Sequence, residues 1–99
     1  MNIIYQGNIA LDGSTRIIGT SNNLIINSII INNQDYNYIV TVESYNQDPG
    51  VNKIILYNFE LTAGDCLKDN DEYSLTNGNY LQLTSNVAET SYYIKATQN

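Results

Sequence analysis

The sequence predicts an all-β fold: a small antiparallel β-sandwich, immunoglobulin-like or jelly-roll-like, of about seven to nine short strands. Three observations carry that expectation. Short β-type runs are punctuated by turn residues about every 8 to 12 positions. Nearly every run is rich in Ile, Val, Tyr or Thr, whose branched or aromatic side chains fit a pleated, half-buried surface. No stretch repeats its apolar residues at helical spacing.

In chain order the expected strands cover 3–6, 9–11, 16–20, 24–31, 38–45, 53–61, 72–76, 80–85 and 91–97. Asp12-Gly13 separates the second from the third, and Gln47-Asp48-Pro49-Gly50 follows the fifth. Both are turns because proline presets φ and glycine accepts the left-handed region. Between the seventh and eighth strands stands Asn77-Gly78, whose tolerance of positive φ predicts a two-residue hairpin turn. Two strands break the usual alternation: 24–31 is apolar on both faces, as is Ile54-Ile55-Leu56-Tyr57. An isolated sandwich should show one face of each strand to water. Either another part of the chain or a partner therefore covers the second face, and Tyr92-Tyr93 extends the pattern into the ninth strand.

The 99 residues are expected to form one domain, 1–99. A chain this short buries only about 60 to 65% of its unfolded surface and gains from reinforcement. Cys66 is the only cysteine, so no internal disulfide forms, and histidine, the commonest transition-metal ligand, is absent. Assembly with other subunits is the reinforcement left. Ten carboxylates face four cations, a net charge of −6 with no basic cluster, which makes nucleic acid and anionic membranes poor partners. Charged residues make up 14% against a typical ~25%, with Asn, Ser and Thr supplying the polarity. A/T-rich codons explain the abundant Asn, Ile and Tyr but not the scarce Lys, and lysine depletion is characteristic of surfaces that become interfaces. No membrane-length apolar run or secretory leader pattern occurs, so the chain is expected to be made and kept in a cytoplasm until it assembles.

Catalytic chemistry finds little support. Without histidine no Ser-His-Asp or Cys-His set exists, and Cys66 reads as a small apolar residue at a strand end. Asp69 and Asp71 with the Asn70 carbonyl could offer oxygens to Ca²⁺, but the spacing is not that of an EF-hand, and a solvated turn is the favoured reading. No cofactor, metal or catalytic residue is therefore expected. Nine tyrosines with no tryptophan suit either interface filling or a platform for sugars, the former being more economical.

The C-terminal half carries a more particular pattern: Leu56-Tyr57, then Leu61-Thr62-Ala63-Gly64-Asp65, Leu67, Asp69, Tyr73-Ser74-Leu75, Gly78-Asn79-Tyr80-Leu81 and Ser85, closing with residues 92–96. This resembles small virion proteins of tailed bacteriophages, in the style of the A/T-rich phages of gut bacteria that include the crAss-like phages. The resemblance covers 54–97, and Cys66 and Asn79 depart from it where threonine or valine, and aspartate, would stand. It implies a non-enzymatic virion protein, an auxiliary capsid subunit of the decoration or cement type that docks on the major capsid protein or other virion proteins. A homo-oligomer or multi-copy array is expected. The alternative is a glycan- or receptor-binding module of a phage fibre or tail. The doubly apolar segments name the expected contact: Leu24, Ile26, Ile29, Ile31, Tyr92, Tyr93 and Ile94.

Overall fold

The computed structural model describes residues 1–9, 15–18, 23–45, 54–75 and 78–98. They form nine strands: β1 (Asn2–Asn8), β2 (Thr15–Ile18), β3 (Leu24–Asn32), β4 (Tyr38–Tyr45), β5 (Ile54–Leu61), β6 (Cys66–Asp69), β7 (Tyr73–Leu75), β8 (Tyr80–Ser85) and β9 (Ser91–Gln98). The expected turns at 12–13 and 47–50 lie outside the described residues.

Every strand pairing is antiparallel, in two sheets. One runs β1-β9-β3-β6, with β7 continuing the β6 edge along β3, and the other runs β2-β8-β4-β5. Counting β6 and β7 as one interrupted strand leaves eight, paired first with last and inward to the β4–β5 tip. The chain is thus a single long hairpin rolled over itself, and β9 against β3 and β8 against β4 are the contacts the roll creates. This is the double-sheet jelly roll. Its radius of gyration, 13.0 Å, is that of a compact domain of this length.

Alternation along each strand fills the space between the sheets. Ile26, Ile29, Ile31 and Ile94 from one sheet meet Val40, Val42, Leu81 and Leu83 from the other, all fully buried. Each contributes about 1.5–3 kcal/mol relative to exposure. Strand β3 keeps this up over nine residues through a β-bulge between Ile26 and Ser28. The extra residue, Asn27, shifts the phase, so that Leu24 and Ile26 before it and Ile29 and Ile31 after it all point inward. Much of the doubly apolar character of 24–31 is therefore one inward face read across a bulge.

Three expectations change. Ile9 lies past the end of β1, buried, with its N–H donating to the Thr90 carbonyl at 2.8 Å, and so does not begin a second strand. The acidic stretch expected as a turn contains β6. Asn77-Gly78 does not close a hairpin, because β7 pairs with β3 whereas β8 pairs with β2 and β4. The connection crosses between sheets. Gly78 does take the positive φ its turn chemistry predicts, 83°, while Asn77 lies outside the described residues.

Candidate interaction surfaces

Of the seven residues expected at a contact, Leu24, Ile26, Ile29, Ile31 and Ile94 are core residues buried by their own chain. They are corrected from surface to interior: inward alternation plus the β3 bulge puts them between the sheets. Tyr92 also points inward, half-buried against the core, whereas Tyr93, half-buried, lies on the outer face of the five-stranded sheet opposite Ile30 and Gln6. That outer face also presents Ile25 and Ile4, the latter 53% exposed and outside the segments singled out in the sequence.

Two shallow depressions mark the face. The larger, about 480 Å³, lies between Gln6, Asn8, Ile30, Asn32, Tyr92 and Tyr93. The smaller, about 290 Å³, lies beside Asn2, Ile4, Asn27 and Lys95, where Asn27 donates to the Thr97 hydroxyl at 2.7 Å. In the larger one the Asn32 side-chain oxygen is shielded from solvent yet accepts no hydrogen bond. The strands of the face carry Lys68 and Lys95, both exposed, while Asp69, the one carboxylate within those strands, is buried; Asp71 and Glu72 are exposed at the β6–β7 edge. On the opposite side of the sandwich, Tyr45 and Tyr80 stack across β4 and β8 with ring centroids 4.9 Å apart.

One end of the sandwich gathers the β3–β4, β5–β6 and β8–β9 loops, and asparagines fix it. Asn33, 2% exposed, accepts from the N–H groups of Asp35 and Tyr36 at 3.0 Å each. Its amide donates to the Ala88 carbonyl at 3.0 Å and to Thr90 Oγ1 at 3.2 Å. Thr90 in turn meets Ser85 Oγ at 2.8 Å. Asn37 accepts from the Ala63 N–H at 2.9 Å and Asn86 from the Ile39 N–H at 2.7 Å. Tyr38, buried at the start of β4, donates its hydroxyl to the Asp65 carbonyl, and burial pushes that phenol up from its ordinary pKa. The knot leaves Asp35, Asp65, Glu89 and Tyr36 exposed at the tip, Tyr36 by 61%. Glu89 sits at φ 61°, a left-handed conformation costly for a residue with a Cβ.

A second polar cluster closes the side of the sandwich between edge strands β5 and β6–β7. The Asp69 carboxylate, 7% exposed, accepts from Tyr57 and, at 2.6 Å, from Tyr73, and the two phenols meet at 2.8 Å. Its other oxygen accepts the Asp71 N–H at 2.9 Å. Burial works to raise the Asp69 carboxyl, but these donors outweigh it and hold it below the ordinary carboxylate range. Burial and the adjacent carboxylate push both phenols up. A carboxylate held ionised beside phenols held protonated exchanges no proton near neutrality, so the cluster acts as a clamp. The Asp69–Asp71 turn keeps the self-bonding expected of it, and among the described residues no group of three or more His, Cys, Asp or Glu is placed to hold a metal ion. Cys66 begins β6, at a strand end as expected, and is exposed on the outer face opposite Asn32.

The strand order defines a jelly roll. No protein-family model matches the sequence, and no curated protein matches it. Among solved structures the chain is similar over 98% of its length to a pentameric capsid protein isolated from metagenomic phage sequences, with a TM-score of 0.50 and 18% sequence identity. The likeness is one of fold, and this chain spans 60% of the length of that protein.

Proposed function

We propose that this chain is a non-catalytic structural subunit of a tailed-phage virion, present in many copies, and that it serves as an auxiliary capsid protein docking on the major shell. The observation that carries the reading is the fold likeness, over 98% of this chain, to a phage capsid protein. Jelly rolls recur in viral shells because both sheets close on one core and leave loops and outer faces free for neighbours. A subunit of this kind adds contact area across capsomer boundaries and raises the work of separating them. The test mixes the recombinant chain with shells assembled from the capsid protein encoded beside it. Co-sedimentation, with added density on the shell in electron cryomicroscopy, is expected. A chain that stays in the supernatant at saturating concentration sinks the docking role.

The second reading, a glycan-binding module of a fibre or tail, is favoured by one observation: the larger depression sets Tyr93 beside the amides of Gln6 and Asn8. Sugars stack on aromatic faces and bond such amides. Specific hits on a glycan array, together with no binding to shells, would transfer the assignment to it.

A further inference from the structure

We infer that the outer face of the five-stranded sheet binds the loop end of a second copy of this chain, with Lys68 and Lys95 facing Asp35, Asp65 and Glu89 of the neighbour, and its Tyr36 entering the depression beside Tyr93. The inference rests on the multi-copy reading above and names the contact that would make the copies cohere.

Charge segregation selects the occupant. A chain of net charge −6 repels its copies unless the carboxylates of one meet cations of the next. The strands of the five-stranded sheet hold two exposed lysines and no exposed carboxylate, Asp71 and Glu72 being confined to the link at its β6–β7 edge. The three loops at the tip, residues 33–37, 62–65 and 86–90, hold three exposed carboxylates and no cation. The two surfaces are complementary and belong to the same molecule.

The edge of that face points the same way. Sheet edges are ordinarily blunted by shortness, charge, breaks or bulges. Strand β2 has four residues and includes Arg16; β5 has Glu60 and a register shift opposite Val42; β6–β7 is interrupted and charged. Strand β1 runs seven residues with no charge and no proline, so a neighbour approaching across it meets nothing that repels an acidic tip.

The loop end is built to be held rigid. Asn33 fixes the Tyr36 backbone, so an exposed aromatic is presented without much freedom to lose on docking. Tyr92, Tyr93 and Ile30 line the depression that would receive it. Because face and tip are different surfaces, the contact is head-to-tail, and repetition closes a ring or runs into a filament.

The test is sedimentation velocity on the purified chain at concentrations up to on the order of 1 mM, where contacts of millimolar strength appear. Wild type should self-associate, less as salt rises from about 50 to about 500 mM because screening weakens exposed charge pairs. K68E/K95E and D35K/D65K/E89K should each weaken association at least about tenfold, and mixing the two should restore it, since each supplies what the other lacks. Tyr36→Ala should weaken it without changing its salt dependence, and Ile39→Lys, on the other sheet's outer face, should do nothing. A wild type that stays monomeric, or single-set variants that associate like wild type, overturns the contact. Glycan binding at the depression, lost in Tyr93→Ala, also overturns it. A monomer that still decorates shells leaves the virion role standing while removing this contact.

Discussion

At the loop end Asn33, Thr90 and Ser85 tie β3 to β8 and β9 with neutral groups, whereas at the side Tyr57, Asp69 and Tyr73 tie the two sheets through one buried charge. Both clusters satisfy polar atoms that would otherwise be stranded, and each joins segments far apart in sequence. They differ in what disturbs them. The neutral knot answers to shape alone, and the clamp answers to pH as well.

The largest expected effect comes from Asn33→Ala, which strips four hydrogen bonds from a buried site and should cost about 3 kcal/mol. Urea midpoints would show it, with the same loss at pH 3 as at pH 7; a pH-dependent loss would mean that the knot, too, answers to charge. Asp69→Asn should cost about 2 kcal/mol at pH 7, since the phenols lose an ionic acceptor. Asp69 is more acidic folded than unfolded, so the clamp's stabilisation is complete above the unfolded carboxyl value near ~4 and drains as pH falls through the lower folded one. The phenols are less acidic folded than unfolded, so stability also declines above about pH 10. The gap between wild type and Asp69→Asn should therefore shrink below pH 4, and a constant gap would contradict the clamp.

Tyr73→Phe should cost about 1 kcal/mol, because Tyr57 and the Asp71 N–H still hold the carboxylate. Glu89→Gly should instead stabilise by about 0.5 kcal/mol, relief of the left-handed conformation slightly exceeding the added freedom of the unfolded chain. Chelation by EDTA should leave the thermal midpoint of wild type where it was. A fall restored by calcium would turn the Asp69–Glu72 segment into a metal site.

The sequence discloses elements whose signal is local and hides those whose signal is borrowed. Strands β4 and β8 coincide with expectation because β-branched and aromatic residues alternate within well-marked ends. Strand β6 was hidden, although Cys66, Leu67, Lys68 and Asp69 do alternate out and in. An aspartate counts as an inward residue only when Tyr57 and Tyr73 arrive from other strands. Asn77-Gly78 shows the converse. Positive-φ chemistry at Gly78 fits a hairpin and a crossover equally, and the pairing partners of β7 and β8 decide which. Leu24, Ile26, Ile29 and Ile31 all face inward for a related reason, since one bulge at Asn27 reverses the facing of half a strand.

Strand β9 has a consequence for biosynthesis. It lies between β1 and β3, so a nascent chain shorter than about its ninety-first residue leaves two strands of that sheet with nothing joining them. At roughly 5 to 20 residues per second, synthesis holds those open edges exposed for several seconds. Stalled chains lacking residues 91–98 should be cleaved readily by protease, and protection should arrive only once that strand clears the ribosome tunnel. The decisive step of folding would then wait for β9, and copies emerging from adjacent ribosomes would first meet as incomplete sheets, with the risk of exchanging β9 before they can pack as finished subunits.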